Sequence, residues 1–276
     1  MILINGRRQR VHDIADRAFA YGDGLFETVA VVHSKPRLWN LHLKRLYLGC
    51  DRLGLPRPDE EQLLYEAEML CKGVTGGVLK LIWSAGVGGR GFRRAGAEPT
   101  RVLIRSELPR YPKQWWRDGV AVRWCQLRLA RQPQLAGIKH LNRLEQVLAR
   151  AEWETPSVAE GILLSDNGAV VEGTMTNLFI VRGNVLYTPA LTEAGVAGVM
   201  REHLLALAAA LELQTQVTRL EPEDVVVADE VFVSNSLIGL WPVTELDGTP
   251  YPVGPVSQRL LVELRAREDI PDWFTA

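Results

Sequence analysis

One lysine stands where covalent chemistry could take place, between a short apolar step and a predicted helix. Lys139 follows Gly137-Ile138, and the helix-like run that comes after it begins near Asn142. A lysine held at such a junction in a partly desolvated pocket can act as a nucleophile or a base, although a solvated surface lysine is the commoner case. We expect the helix to bury its apolar face and Asn142 to cap it. The apolar residues at helical spacing are Leu144, Val147, Leu148 and Ala151.

A carboxylate and two small polar turns could serve as partners of this lysine. Glu172 ends a predicted strand, glycines precede a predicted helix at Val199, and Ser234-Asn235-Ser236 follows another strand. The first N–H groups of a helix bind anions such as phosphate. A lysine, a carboxylate for a pyridinium nitrogen and phosphate-binding turns are what pyridoxal phosphate (PLP) requires. Each feature alone also fits an ordinary strand end or helix entry, so the PLP hypothesis depends on their combination.

Mixed helices and strands must position these residues. Turn sequences typical of hairpins predominate over regular βαβ alternation, which predicts an α+β (mixed α/β) fold with largely antiparallel or mixed sheets. The hairpin turns are Asn5-Gly6, His33-Ser34-Lys35-Pro36, Asp166-Asn167-Gly168, Arg182-Gly183-Asn184 and Asp247-Gly248. Helical spacing predicts helices around residues 43–53, 63–71, 199–213 and 257–268.

Two prolines mark the best domain boundary. Pro109 and Pro112 disfavour regular structure, and the composition changes on either side of them. We predict a first domain over residues 1–110, a linker over 111–117 and a second domain over 118–276. The glycine-rich segment 86–96 lacks the Lys-Ser/Thr ending of a nucleotide-binding loop. It is interpreted as a flexible active-site loop carrying arginines or as a plain surface loop.

Composition excludes several classes of protein. The 276 residues are 47% hydrophobic and carry a net charge of −1, which favours a full core and gives no sign of nucleic-acid binding. The three cysteines are far apart and odd in number, so neither a disulfide framework nor a metal site is expected. The start does not resemble a signal peptide, and no apolar run is long enough to span a membrane. A cytoplasmic protein is therefore expected.

Several of these segments resemble the fold-type IV PLP enzymes, which include branched-chain aminotransferases, D-amino-acid aminotransferases and aminodeoxychorismate lyases. The resemblance covers nearly the whole chain. Within the group, the lysine segment 136–147 and the segment 88–92 are most similar to the lyases. The matching segments are 21–27, 42–46, 136–147, 172–179 and 198–201.

The resemblance implies a two-domain fold like that of D-amino-acid aminotransferases and assigns roles to single residues. Lys139 would be the Schiff-base lysine, Glu172 the partner of the pyridine nitrogen, and Arg45 a phosphate ligand. Backbone N–H groups of Val199 and Met200 would complete the phosphate site, and Asn235 or Ser236 would add a side-chain donor. Aminotransferases of the group often have Thr where Met200 stands, so a hydroxyl contact is missing here.

The implied activity is that of a PLP-dependent lyase in folate biosynthesis, which converts 4-amino-4-deoxychorismate to 4-aminobenzoate and pyruvate. The implied assembly is a homodimer. Candidate partners for the two substrate carboxylates are Arg90, Arg93, Arg94 and Arg105, and Thr28 and Tyr111 are candidate polar neighbours of the reacting centre. Two alternatives stay open: a branched-chain or D-amino-acid aminotransferase on the same scaffold, and a binding protein without PLP.

Overall fold

The computed structural model describes residues 1–94 and 96–271 and divides into two compact units. The first unit contains Met1–Pro109 and Ile138–Asn142, and the second contains Arg110–Gly137 and Arg143–Asp269. Lys139 therefore belongs to the first unit, although most of the chain around it belongs to the second. The predicted domain limits and linker stay predictions. Ala95 of the predicted loop and residues 272–276 of the predicted second domain lie outside the described residues.

The first unit has a six-stranded sheet in the order β2-β1-β6-β5-β3-β4, and its strand pairs are antiparallel. Its strands are β1 (Ile2–Ile4), β2 (Arg7–Arg8), β3 (Gly24–Val32), β4 (Lys35–Pro36), β5 (Gly76–Ser84) and β6 (Thr100–Ser106). Its helices are α1 (Arg17–Tyr21), α2 (Trp39–Leu53) and α3 (Glu60–Cys71).

Helix α2 carries the apolar face that the sequence predicts. Leu43, Leu46 and Cys50 are at most 4% exposed, and the helix ends at Gly54 with a left-handed φ of 62°. Glycine adopts that conformation without steric strain, which explains the stop. The hairpin predicted after β3 is also present, but its return strand β4 lies at Lys35–Pro36, inside the predicted turn.

The second unit has a nine-stranded sheet in the order β12-β11-β10-β13-β14-β7-β8-β9, with β15 paired to β14. Its strands are β7 (Val120–Leu129), β8 (Val158–Ser165), β9 (Val170–Gly173), β10 (Asn177–Arg182), β11 (Val185–Pro189), β12 (Gln214–Thr218), β13 (Glu230–Asn235), β14 (Gly239–Leu246) and β15 (Thr249–Pro250). Its helices are α4 (Trp115–Asp118), α5 (Leu144–Arg150), α6 (Val199–Ala210), α7 (Pro222–Val226) and α8 (Pro255–Ala266).

This second sheet is mixed, because the pairs β11–β12, β14–β7 and β7–β8 are parallel. The prediction of an α+β fold with antiparallel or mixed sheets is therefore confirmed. Strand β12 was not predicted. Its residues are mostly polar and exposed, so no alternation of apolar residues marks it, and its parallel pairing with β11 holds it in place.

The prediction for the helix after Lys139 is wrong in two respects. Leu144, Val147 and Leu148 are 75%, 60% and 60% exposed, and Ala149 is the buried residue of α5. Helical spacing identifies an apolar face but does not say whether the same chain covers it. Asn142 does not cap α5, because the cap position is Arg143 and the Asn142 amide donates to the Gly22 carbonyl at 3.1 Å.

The cysteines and the apolar length of the helices bear on two of the expectations from composition. The three cysteines, Cys50, Cys71 and Cys125, are buried thiols. Burial raises the pKa of Cys50 and Cys125 to about 12 and that of Cys71 to about 11, so none is a reactive thiolate. No helix among residues 1–94 and 96–271 is long and apolar enough to cross a membrane.

Candidate active site

Backbone hydrogen bonds hold Lys139 against the first residues of β3. The Phe26 N–H donates to the Lys139 carbonyl at 2.9 Å, and the Leu141 N–H donates to the Gly24 carbonyl at 3.0 Å. Strand β3 pairs with β5 along its whole length, but β4 covers only its far end at Val31 and Val32. The segment around Lys139 thus supplies the partners that the start of β3 would otherwise lack. A backbone-held lysine is what the sequence predicted.

The Lys139 ammonium shares an aromatic ring with a second lysine. The Lys139 Nζ lies 4.5 Å from the centroid of the Phe26 ring, and the Lys80 Nζ lies 5.2 Å from the same centroid. Lys80 on β5 is opposite Thr28, which follows Phe26 by two residues and so points to the same face of β3. Both cations are attracted to the ring. The first unit therefore places two amines, an aromatic ring and a hydroxyl on one surface.

Sequence reasoning predicted Lys139 and Thr28 but missed Lys80. Its only sequence signal was a charged residue in the apolar run Val78–Trp83, where strand alternation turns Lys80 away from its buried neighbours Leu79 and Leu81. A polar residue on the exposed face of a strand is common, so this signal alone could not identify a site.

A buried charged cluster lies beside this surface. Glu27 is 1% exposed and accepts hydrogen bonds from Arg45 Nε at 2.8 Å, from Arg45 Nη2 and from His42 Nδ1 at 2.6 Å. Burial favours the protonated form of Glu27, but the Arg45 charge outweighs it and lowers the pKa of Glu27 to about 2. Burial lowers the pKa of His42, and the charges of Arg45 and Lys139 add to this effect while Glu27 opposes it. The cluster is therefore an Arg–Glu ion pair beside a neutral imidazole.

The structure gives Arg45 a partner that the sequence did not predict. Glu27 binds two nitrogens of its guanidinium, and the Arg45 side chain is 9% exposed. Such a bidentate pair fixes the orientation of an arginine. The role of Arg45 as a phosphate ligand stays a prediction, and Glu27 becomes the residue that orients it. Glu27 lay in the matching segment 21–27, yet nothing in the spacing connected it to Arg45.

The glycine-rich loop of the first unit is anchored at several points. Arg17 Nη1 donates to the Gly91 carbonyl at 2.9 Å, and Arg17 Nη2 donates to the Phe92 carbonyl at 3.1 Å. The guanidiniums of Arg17 and Arg94 both pair with Asp23. Burial would raise the pKa of Asp23, but Arg94 and Arg17 lower it. Two arginines thus connect the loop to the segment around Asp23, and its interpretation as a flexible active-site loop or a plain surface loop stays a prediction.

The arginines predicted to bind substrate carboxylates fall into two groups. Arg90 and Arg93 are exposed on the loop. Arg94 pairs with Asp23, and Arg105 Nη1 donates to the Leu70 carbonyl at the end of α3 at 3.1 Å. Arg94 and Arg105 thus have structural contacts of their own, and their roles as carboxylate ligands stay predictions.

In the second unit, Glu172 lies against the loop that leads to α6. Its Oε2 accepts a hydrogen bond from the Val196 N–H at 2.8 Å, and the residue is 5% exposed. Gly195 has a φ of 82°, and a Cβ there would lie 2.7 Å from Val171 Cγ1 and 3.3 Å from the Glu172 carboxyl carbon. Only glycine allows the loop to approach the carboxylate this closely. The structure thus brings together Glu172 and the predicted glycine-bounded turn.

The same loop sets the N-terminus of α6. The Asn177 amide donates to the Val196 carbonyl at 2.8 Å, and the Ala197 N–H donates to the Gly137 carbonyl at 3.0 Å. Gly198 is the cap residue and offers no side chain to the first turn. The N–H groups of the first residues of α6 therefore have no acceptor within the helix and can bind an anion. The Met200 side chain is 1% exposed, which leaves only its backbone for a ligand.

The two predicted side-chain donors, Asn235 and Ser236, lie where β13 ends and the next turn begins. Asn235 Oδ1 accepts from the N–H groups of Leu237 and Ile238 at 2.9 and 3.0 Å, and its Nδ2 donates to the Met175 carbonyl at 3.2 Å. Asn235 therefore shapes the turn, and Ser236 is the half-buried hydroxyl beside it. The Ser234 Oγ is buried without a hydrogen-bond partner in the described part of the chain. Sequence reasoning noticed Ser234 only as part of the turn.

A second buried carboxylate holds the turn that follows Glu172. Glu160 is fully buried and accepts hydrogen bonds from the Thr174 hydroxyl at 2.6 Å, the Thr176 hydroxyl at 2.9 Å and the Met175 N–H at 3.1 Å. Burial raises the pKa of Glu160, and these donors oppose the rise. No sequence signal separated Glu160 from an exposed strand residue. Tyr111, predicted near the reacting centre, packs in this unit against Trp241 at 4.8 Å between ring centroids.

The sequence matches the family described as amino-transferase class IV over residues 24–246. The chain belongs to this family. The matched residues begin at the first residue of β3 and end at the last residue of β14. The matched range therefore contains every candidate from Thr28 to Ser236.

The chain is also similar to individual proteins over nearly its whole length. The chain is 35% identical to an aminodeoxychorismate lyase of Vibrio harveyi over 94% of this chain and 98% of that protein. A crystal structure of 4-amino-4-deoxychorismate lyase from Pseudomonas aeruginosa is 44% identical, covers 98% of this chain and 100% of its own, and superposes with a TM-score of 0.94. A putative branched-chain-amino-acid aminotransferase of Methanocaldococcus jannaschii is 30% identical over 90% of this chain and 88% of that protein.

Proposed function

We propose that the chain is a PLP-dependent lyase that converts 4-amino-4-deoxychorismate to 4-aminobenzoate and pyruvate, a step of folate biosynthesis. The observation that carries the proposal is the likeness over nearly the whole chain to proteins named as aminodeoxychorismate lyases. The backbone-held Lys139 with its ammonium over Phe26 is the chemical group that such an enzyme needs.

The residues of the second unit fit PLP. A helix N-terminus without a side-chain cap at Gly198 suits a phosphate, and the buried Glu172 suits a protonated ring nitrogen. The buried Ser234 Oγ, which has no hydrogen-bond partner among the described residues, suits a polar ligand. We assign the phosphate to the N–H groups of Val199 and Met200, with Ser236 as a further donor. When bound, the cofactor supplies an electron sink for a carbanion next to the amine.

Lys139 carries the covalent and proton-transfer chemistry. Its Nζ would hold the cofactor covalently and, once the substrate is bound, would be free to act as a base. The free amine then removes the proton from the amine-bearing ring carbon. The bond between the neighbouring ring carbon and the ether oxygen breaks, the ring becomes aromatic, and the enolpyruvate takes up a proton to give pyruvate. Aromatisation drives the elimination, so the protein mainly supplies positioning and proton transfer.

The charged groups of the first unit bind the two anionic parts of the reactants. Arg45, oriented by Glu27, serves the phosphate. Lys80 serves a substrate carboxylate, because its ammonium lies over the same Phe26 ring as Lys139. Arg90 and Arg93 on the loop are further candidates. We expect Lys80→Met to raise KM about tenfold while kcat changes less, since an exposed cation contributes mainly to binding.

An aminotransferase on the same scaffold is the second candidate. The class IV match and the likeness to a putative branched-chain-amino-acid aminotransferase support it, because the same lysine and carboxylate would serve a transaminase. The purified protein should be mixed with 4-amino-4-deoxychorismate and the fluorescence of 4-aminobenzoate followed. A parallel reaction with amino donors and 2-oxoglutarate measures glutamate. Sustained glutamate formation without 4-aminobenzoate would reject the lyase, and a protein that binds no PLP would reject both activities.

The proposal includes a homodimer. Helix α5 exposes Leu144, Val147 and Leu148 on one apolar face, and such faces mark interaction surfaces. Light scattering of Leu148→Asp, with Val262→Asp on α8 as the matched exposed control, tests this face. We expect only the α5 substitution to shift the protein toward the monomer, and an unchanged mass would exclude the α5 face. The cytoplasmic location stays a prediction.

A further inference from the structure

A buried arginine lies in the first turn of α6, the turn assigned above to phosphate. Arg201 is the third residue of α6 and is 9% exposed. Its Nε donates to the Thr188 hydroxyl at 3.2 Å, and its Nη2 donates to the Pro189 carbonyl at 3.0 Å. Both acceptors are neutral. Among the described residues this guanidinium has no ion pair, and Glu202 acts on it only through longer-range charge.

These hydrogen bonds clamp the first turn of α6 to the sheet. Thr188 and Pro189 end β11, and the Thr188 hydroxyl donates in turn to the Leu178 carbonyl of β10 at 2.8 Å. Asn177, the residue before Leu178, holds the Val196 carbonyl of the loop that enters the helix. The chain before Gly198 is thus fixed to β10 and the chain after it to β11, two paired strands of the same sheet.

The charge of Arg201 is unfavourable in this place unless an anion is present. The N-terminus of a helix carries a partial positive charge, so a cation in the first turn opposes the helix dipole. Burial adds a desolvation cost, and it lowers the pKa of Arg201. A phosphate dianion at the N–H groups of Val199 and Met200 would offset both costs. The sequence Gly198-Val199-Met200-Arg201 therefore combines N–H donors with a fixed cation.

We propose that Arg201 is a positioning residue for the cofactor phosphate, which holds the N-terminus of α6 in place and supplies a buried positive charge that favours a dianion. The inference rests on the proposed PLP cofactor. It differs from the role of Arg45, because Glu27 neutralises Arg45 whereas the acceptors that Arg201 contacts in the described part of the chain are neutral.

The test compares two aldehydes that differ only in the phosphate. Apo-protein is titrated with PLP and with pyridoxal, and the visible absorbance of the lysine-bound aldehyde gives both dissociation constants. We expect Arg201→Met to weaken PLP binding about 30-fold or more and to leave pyridoxal binding unchanged, because only PLP carries the dianion. The control is Arg182→Met on β10, where an arginine pairs with Asp224 at the surface. It should change neither constant.

Each other outcome decides against the proposal. An equal loss of affinity for PLP and for pyridoxal would mean that Arg201 only supports the fold. Unchanged affinity for PLP would mean that Arg201 has no role at the phosphate. If circular dichroism shows that Arg201→Met is unfolded, Arg201→Gln provides the same ratio with a neutral donor. Arg201→Lys, which keeps the charge, should retain more of the preference for PLP than Arg201→Gln. A wild-type protein that binds neither aldehyde would instead reject the proposed cofactor.

Discussion

The two units supply their candidate residues by different physical means. In the first unit they are charged side chains that orient one another: Lys139 and Lys80 meet one aromatic ring, and Glu27 fixes Arg45. In the second unit the candidate phosphate site consists mainly of backbone groups placed by a loop, and the carboxylate of Glu172 accepts a backbone N–H. Charge substitutions should therefore be most damaging in the first unit, whereas in the second unit a change of backbone shape should also weaken the phosphate site.

Replacing the lysine is the most severe way to test the charged set. We expect Lys139→Ala to lose the visible absorbance of bound PLP and to lower turnover by about 10⁴-fold or more, since both the covalent link and the proton transfer disappear. Absorbance spectra and the 4-aminobenzoate assay measure the two effects. Lys35→Ala, on the exposed hairpin strand β4, is the control and should behave as wild type. Retained absorbance and turnover in Lys139→Ala would remove the lysine from the site.

The same difference between side chains and backbone groups explains which parts of the candidate site could be predicted from the sequence. Lys139, Glu172 and Arg45 are side chains whose chemistry can be read from residue type, and the predicted turn before Val199 contains the glycines that the structure uses. The pairing of Glu27 with Arg45 could not be predicted, because it depends on how β3 packs against α2. The burial of Glu160 could not be predicted from the sequence either.

Helix α5 shows the opposite failure, in which a correct pattern led to a wrong conclusion. The apolar spacing at Leu144, Val147 and Leu148 is real, but the structure exposes these side chains. Periodicity reports that a face avoids water and carries no information about what covers it.

Neutralising the carboxylate of the second unit should have the next largest effect. We expect Glu172→Gln to lower kcat about 10²-fold to 10³-fold while PLP still binds, because the amide keeps an acceptor for the Val196 N–H but cannot hold a protonated ring nitrogen. Steady-state kinetics with saturating PLP measure the effect. Glu154→Gln, an exposed residue of the same unit, is the matched control. A full kcat in Glu172→Gln would separate this carboxylate from the reaction.

Adding a single methyl group at the start of α6 should weaken PLP binding by the backbone groups of the second unit without changing any charge. A Cβ on Gly198 would lie 1.9 Å from Asn177 Oδ1, so Gly198→Ala must displace the loop or the Asn177 side chain. We expect an increase of about tenfold in the dissociation constant for PLP, equivalent to about 1.4 kcal/mol, a cost typical of overpacking. Gly89→Ala is the control, because a Cβ there meets no atom of the described residues within 4 Å. Equal PLP binding by the two variants would show that the loop adapts freely.

Lowering the pH should destabilise the folded protein through the buried charged residues of the first unit, and this effect should be smaller than those predicted above. The pKa of Glu27 falls from an ordinary 4.5 to about 2 on folding, so its contribution to the free energy of unfolding is complete above pH 4.5 and is lost as the pH falls toward 2. That contribution is on the order of 3 kcal/mol. The pKa of His42 is also lowered, so its protonation destabilises the folded state in the same direction as the pH falls below its ordinary 6.5. Urea unfolding of wild type and Glu27→Gln between about pH 7 and about pH 3 measures the difference.

We expect Glu27→Gln to be less stable at neutral pH, because Arg45 stays buried without its carboxylate, and to lose less stability on acidification than wild type does. The control is Glu68→Gln, an exposed residue of α3, which should follow the wild-type curve. Parallel curves for Glu27→Gln and wild type would mean that the Glu27–Arg45 pair does not set the acid response of the protein. The buried charges of the first unit would then contribute no more to the pH dependence of stability than exposed charges do. The two units would differ only in the types of their candidate residues.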